Sequence, residues 1–123
     1  MSLSPLDAMR AAFAAWEQRD PAALAALFAP DGDFIDPLKP GVLTGPAEIE
    51  AGNREAMAAV EDVVVTIVRA FEDDTHAAVE GMFLSRVAGS DVRFDFGYMA
   101  SLKLRDGKVA RLAEYFDTRP LVP

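Results

Sequence analysis

Two carboxylates occupy positions that strand alternation would fill with apolar side chains. In the run Ala110-Arg111-Leu112-Ala113-Glu114-Tyr115-Phe116-Asp117, period-two geometry sets Ala110, Leu112, Glu114 and Phe116 on one face. The shorter run Asp33-Phe34-Ile35-Asp36-Pro37 sets Asp36 on the same side as Phe34. A carboxylate among apolar side chains either finds a hydrogen-bond partner or holds its proton more tightly, because desolvating the charge costs more than neutralising it. If both face one hollow, they divide acid and base work. Asp36 would take a proton from a carbon next to a carbonyl, and Glu114, kept protonated by burial, would return one. Tyr98 is the candidate hydrogen-bond donor. Trp16, Phe83 and Phe96 would form an aromatic wall for a small apolar molecule, with Phe34, Asn53 and Met57 completing the expected contacts.

Each residue also has a plainer reading. An aspartate before proline readily caps a bend, which suits Asp36 equally well. Glu114 could be half of a buried ion pair with Arg54 of the third predicted helix. Tyrosine in a sheet more often packs its ring and ties its hydroxyl to a neighbour, and aromatic residues at such spacing are more often core than wall. His76 starts its strand on the face away from the hollow and reads as a surface or interface residue. Asp117 and Arg119 are expected to pair near the end of the sheet. Asp73-Asp74 is a solvated turn, since the spaced oxygen ligands of a calcium loop are missing.

The elements that must position these groups are legible in outline. Met9, Phe13 and Trp16 recur on one stripe, which predicts an amphipathic helix over 5–19. Asp20-Pro21 starts a short second helix with Leu24, Leu27 and Phe28 inward, and Ala29-Pro30-Asp31-Gly32 breaks it. A brief extended piece, 33–36, leads into a loop with Pro37, Pro40 and Gly41. Gly45-Pro46 opens a third helix with Ile49, Asn53, Ala56 and Met57 inward. Strands follow over 62–71 and 76–87. A third strand from Phe94 has Phe96, Tyr98, Ala100, Leu102 and Leu104 on one face, and Asp106-Gly107 is a hairpin signal leading into the last strand. Helices first and strands after give an α+β domain, a curved antiparallel sheet closed on one face by three helices.

The 123 residues suit a single domain, 1–123, with one core. With 51% hydrophobic and 26% charged residues the composition is that of a soluble globular protein. Twenty acidic residues against twelve basic ones give a net charge of -8, which argues against nucleic acid or an anionic membrane surface as partner. The chain has no cysteine and one histidine, which excludes disulfides, thiolate chemistry and histidine metal clusters, so neither metal nor cofactor is expected. No apolar run approaches the roughly 20 residues that span a bilayer. Asp7 and Arg10 stand where a secretory signal would be apolar, and a cytoplasmic location is expected. Met82, Leu84, Met99, Ala113 and Tyr115 give the outer sheet face more apolar surface than solvation requires, with Glu80, Arg86, Lys103 and Arg111 available for ion pairs between subunits; the expected assembly is a homodimer through that face.

Phe13-Ala14-Ala15-Trp16 with Arg19-Asp20, Leu27-Phe28-Ala29-Pro30-Asp31-Gly32 leading to Phe34-Ile35-Asp36-Pro37, Gly45-Pro46-Ala47-Glu48-Ile49, and Leu104-Arg105-Asp106-Gly107-Lys108-Val109 ending at Tyr115-Phe116-Asp117 together span most of the chain. In this order they resemble the nuclear transport factor 2-like superfamily, whose fold is cone-shaped and cystatin-like, and within it the SnoaL-like polyketide cyclases, ketosteroid isomerases and limonene epoxide hydrolases. The resemblance implies a cofactor-independent isomerase or cyclase acting by proton transfer, or a non-catalytic binding or dimerisation module of the same fold. It places Asp36 at the general base of the isomerases, while the positions of their oxyanion-hole tyrosine and aspartate fall on Ala12 and Ala100. The hydrolase positions fall on Gly81, Phe83, Glu114, Phe34 and Asp36, where only the last-strand carboxylate corresponds.

Overall fold

Local signals set the helices of the computed structural model, which describes residues 3–38 and 41–118. Helix α1 (Pro5–Glu17) begins with a reciprocal cap in which the Asp7 amide donates to Ser4 Oγ at 3.1 Å and the Ser4 amide to the Asp7 carboxylate at 3.4 Å. It ends two residues before the expected boundary. Arg19 leaves the helix in the left-handed region (φ 52°) and donates from its guanidinium to the Val60 carbonyl at 3.0 Å. Asp20 caps α2 (Pro21–Ala25) by accepting from the Ala23 amide.

The second helix is shorter than its apolar stripe suggests, because Phe28 already belongs to strand β1 (Phe28–Ile35). Phe28 pairs with Val109 of β6 (Lys108–Tyr115), and the Val109 amide donates to Leu27 O at 2.9 Å. Sheet pairing thus overrides helix propagation. The β1·β6 register slips between Phe28 and Asp33, and Gly32 sits in the slip, where a Cβ would lie 2.6 Å from the Val109 carbonyl oxygen. A three-residue strand, β2 (Val42–Thr44), pairs with β1 in what the sequence presents as loop.

Helix α3 (Pro46–Ala58) buries Ile49, Asn53 and Met57, and the chain continues through β3 (Val60–Glu72), β4 (His76–Val87) and β5 (Phe96–Arg105). The sheet order is β2-β1-β6-β5-β4-β3, antiparallel except that β1 and β6 run parallel. Asp106 and Gly107 both adopt positive φ in the two-residue turn between β5 and β6. On β5 the expected inward set is buried, with Tyr98, Ala100 and Leu102 enclosed, while Met99 points outward at 56% exposure. The core, led by Met9, Leu24, Ile49, Val79, Leu102 and Leu112, lies between the helices and the concave sheet face. The mixed α+β architecture with a curved sheet is therefore as expected. Among the described residues no helix is long and apolar enough to cross a membrane. The outer face carries exposed Met82, Met99 and Tyr115, but Ala113, expected among them, is fully buried between Ile35 and Ser101 on the flanking strands.

Candidate functional site

A cavity of about 360 Å³ opens at one end of the cone, beyond the packed core. Helix α1 supplies Phe13 and Trp16, the C-terminal end of α3 supplies Glu55, Ala56 and Ala59, and the sheet supplies Val65, Phe83, Phe96, Tyr98 and Glu114. Asp36 and Leu38 enter from the segment after β1, and Phe94 and Phe116 from the ends of their strands. Both carboxylates that the strand patterns single out therefore line one hollow. The aromatic residues form a connected array: Phe96 stacks on Phe83 at 4.8 Å and on Phe116 at 4.3 Å, and Trp16 meets Phe83 edge to face at 5.7 Å. Trp16 Nε1 is the one buried side-chain nitrogen or oxygen without a hydrogen-bond partner among the described residues.

The expected residues fall partly on the wall and partly in the core, with Tyr98 belonging to both. Asp36, Glu114, Tyr98, Trp16, Phe83 and Phe96 line the cavity. Phe34, Asn53 and Met57 do not. Phe34 is buried beside Phe28, Met57 is core, and Asn53 donates from its side-chain amide to Ile49 O at 2.8 Å inside α3. The cavity touches the Glu55 and Ala56 shoulder of that helix instead. Phe94 and Phe116, which share the strand faces of Phe96 and Glu114 by period two, also line the cavity although they are not among the expected contacts, and so does Glu55, which reads as an ordinary solvated residue.

The plainer readings can now be placed too. One Asp36 oxygen accepts from the Leu38 amide at 2.7 Å, so the residue shapes the bend as well as facing the cavity. Arg54 pairs with Glu50 at 2.6 Å on the helix exterior and leaves Glu114 alone. Tyr98 packs edge to face against Phe13 and donates its hydroxyl to the Thr66 carbonyl at 2.9 Å. The proton expected to serve a ligand is engaged within the sheet. His76 is exposed at the start of β4, and Asp73 accepts from the Thr75 and His76 amides in a solvated turn. The Asp117 pairing involves Arg119, which lies outside the described residues.

Burial pushes the Glu114 carboxyl up from 4.5 to about 8, and the neighbouring Asp36 charge pushes it the same way. What remains accessible of Glu114 faces the cavity. Burial, with the Glu114 charge, likewise moves Tyr98 up to about 12. Because the folded state holds the Glu114 proton more tightly than the unfolded chain does, its contribution to stability is present below pH 4.5 and is lost as pH rises toward 8. Urea unfolding of Glu114→Gln should then show a variant gaining on the parent by about 2–4 kcal/mol between acid pH and pH 8, at roughly 1.4 kcal/mol per pKa unit after discounting for cavity water. A difference that stays constant across that range would show that Glu114 titrates normally.

Comparison with known proteins agrees with this architecture. The family model described as a SnoaL-like domain matches residues 9–112. A hypothetical protein from Catenulispora acidiphila with a ketosteroid isomerase-like fold, solved in complex with trimethylamine, is 27% identical with a TM-score of 0.82, over 94% of this chain and 88% of that one. AclR, a putative hydroxylase from Streptomyces galilaeus, is 16% identical with a TM-score of 0.78 over 95% and 91%. A cystatin-fold protein from Novosphingobium aromaticivorans is 18% identical with a TM-score of 0.75 over 92% and 98%. No curated protein matches the chain. With the model match running from the first helix into the strand that carries Glu114, the chain belongs to the SnoaL-like domain family.

Proposed function

We propose that the protein is a small-molecule isomerase or cyclase that moves a proton within this cavity without a cofactor. The observation that carries the reading is the pair of carboxyl groups, Asp36 and Glu114, on the wall of one otherwise mainly apolar and aromatic hollow. With its pKa near 8, Glu114 is mostly protonated at neutral pH and can donate to a carbonyl oxygen. Asp36 then removes a proton from the adjacent carbon, and the enolate oxygen is held by the Glu114 hydroxyl until the proton returns to carbon. Glu114 takes over the hydrogen-bond donation for which Tyr98 is the sequence-based candidate, since the Tyr98 hydroxyl serves Thr66. At about 360 Å³ the cavity is near the lower end of ligand pockets, roughly 300–1,000 Å³, and suits a compact ring system. The relative that holds trimethylamine supports occupancy of this fold by a small carbon-rich molecule. The test is exchange of the α-protons of 2-tetralone in deuterated buffer, followed by proton NMR. Exchange no faster than in buffer alone would leave a binding module of the same fold as the better reading.

A homodimer through the outer sheet face belongs to the same proposal. Val68, Met82, Met99 and Tyr115 are exposed there, and a shallow groove runs between Val68, Glu80, Gly97 and Tyr115. Light scattering at micromolar concentration should give twice the 13.3 kDa chain mass, and Met99→Glu should halve it. A monomer mass for the unaltered chain would end the dimer proposal.

A further inference from the structure

We infer that Phe94 sets the size of ligand this cavity accepts, and that Ser85 and Asp95 are positioning residues that hold its ring across the aromatic array. The inference rests on reading the cavity as a ligand site and deepens it by naming what limits the length of a flat guest. Strands β4 and β5 keep one register past the end of their regular ladder, with Phe83 opposite Phe96 and Arg86 opposite Arg93. Ser85 therefore stands opposite Phe94. Two residues facing each other at such a bonded position normally exchange two backbone hydrogen bonds. Here the Phe94 amide donates to the Ser85 carbonyl at 2.9 Å, and the return bond is replaced. The Ser85 amide turns instead to the Asp95 carboxylate at 2.9 Å, and the Phe94 carbonyl accepts from the Ser85 hydroxyl at 2.7 Å. Two side chains stand in for one ladder bond.

This interruption is not a frayed end. Beyond it the turn closes again, the Val87 amide donating to the Val92 carbonyl at 2.9 Å and the Arg86 guanidinium to the Ser90 carbonyl at 2.6 Å. Arg93 grips the Asp95 carboxylate with two donors, at 2.8 and 3.2 Å, and with the Ser85 amide holds that carboxyl below the ordinary aspartate range. Ser85 is fully buried, so leaving its amide or hydroxyl without these partners would be costly. A departure from the ladder that is fixed this firmly beside a pocket re-aims a side chain, as β-bulges do next to active sites.

The side chain it aims is the Phe94 ring. That ring lines the cavity and meets Phe96 at 5.7 Å with the planes 73° apart, whereas Phe83 and Phe116 lie at only 15° and 29° to Phe96. Phe94 thus stands across a row of rings that otherwise run nearly parallel. A flat ligand aligned with that row meets Phe94 as its end stop. In a hollow of about 360 Å³ a two-ring compound has room beside it, and a third ring in line has to displace it.

Trp16 is the only tryptophan and lines the cavity, so its fluorescence reports binding to the full-length protein. The probes are 2-tetralone and its three-ring homologue tetrahydrophenanthren-2-one. The parent should bind the two-ring ketone at least about tenfold more tightly, although the larger one is the more apolar, and Phe94→Ala should bring the two within about threefold. Phe94→Leu, which keeps more of the packing should alanine fail to fold, should move the ratio the same way. Asp95→Ala and Ser85→Ala should each narrow the preference at least about threefold, while Asp95→Asn, which keeps an oxygen for the Ser85 amide, should hold it near the parent value. A merely structural loss would weaken both ketones alike and leave their ratio unchanged. Equal affinity of the parent for the two ketones, a preference that survives Phe94→Ala, an unchanged ratio in both Asp95→Ala and Ser85→Ala, or no binding of either ketone would overturn the inference. Selective binding without α-proton exchange of 2-tetralone would keep this inference and end the proton-transfer reading; exchange of both ketones at equal rates would do the reverse.

Discussion

Asp36→Asn should slow α-proton exchange of 2-tetralone by at least about a hundredfold, and Glu114→Gln by roughly tenfold, with Tyr98→Phe within about threefold of the parent. The ordering follows from what each substitution removes. Asparagine retains the size of Asp36 and an oxygen able to accept from the Leu38 amide at the bend, but it is no base. Glutamine at 114 keeps a hydrogen-bond donor for the enolate oxygen and loses only the transferable proton, so part of the electrostatic stabilisation survives. Phenylalanine at 98 removes a hydroxyl that serves the Thr66 carbonyl and costs stability, about 1 kcal/mol, rather than rate. The effect of Asp36→Asn should fall on kcat with little change in KM, because the carboxylate acts on the proton in flight more than on the resting ligand. An Asp36→Asn enzyme exchanging as fast as the parent would remove Asp36 from the chemistry, and a hundredfold loss in Tyr98→Phe would move the donor role from Glu114 back to the tyrosine.

The parts of the fold that were legible in the sequence are those where a local signal and the tertiary contacts agree. Ser4 and Asp7 announce α1 and form its cap; Asp106-Gly107 announces the last hairpin and takes the positive φ values that turn requires. Phe28 illustrates the opposite case. Its spacing from Leu24 suits a helix stripe, but pairing with Val109 across the sheet decides its conformation, and no local signal contains that partner. Strand β2, at three residues, is too short to show alternation. The site divides the same way. Period two is enough to bring Tyr98, Phe96 and Glu114 to the concave side, and helical period brings Phe13 and Trp16. Depth along an element is invisible to periodicity: Phe34 precedes Asp36 by two residues on one strand face, yet it ends in the core while Asp36 reaches the wall. On α3 the core covers Ile49, Asn53 and Met57, and the cavity meets only the adjoining shoulder, so Glu55 and Ala56 line it and the fully buried positions do not.

Gly81→Ala should abolish folding or destabilise the protein by at least about 3 kcal/mol, although it adds a single methyl group to the middle of a strand. Gly81 stands opposite Ile67 on β3 and Tyr98 on β5, next to an irregularity in the β3·β4 register between Ile67 and Arg69. At this point the Thr66 side chain stands in for backbone, its hydroxyl accepting from the Met82 amide at 3.2 Å, while the Thr66 carbonyl accepts from the Tyr98 hydroxyl at 2.9 Å. A Cβ on Gly81 would overlap that carbonyl oxygen, lie 2.8 Å from the Thr66 carbonyl carbon and press on the Tyr98 hydroxyl at 3.0 Å. Two of these neighbours are backbone and cannot swing aside, so the methyl can be admitted only by parting β3 from β4. Gly97, across the ladder on β5, is the matched control. Its added Cβ would meet Met82 Sδ at 3.7 Å, an ordinary contact, and Gly97→Ala should change stability by less than about 1 kcal/mol in the same urea titration. Equal tolerance at the two positions would mean that the strands separate more easily than this packing implies. The contacts at that point hold Tyr98 against β3 with its hydroxyl on the Thr66 carbonyl, which is why the proposed mechanism assigns proton donation to Glu114 and not to the tyrosine.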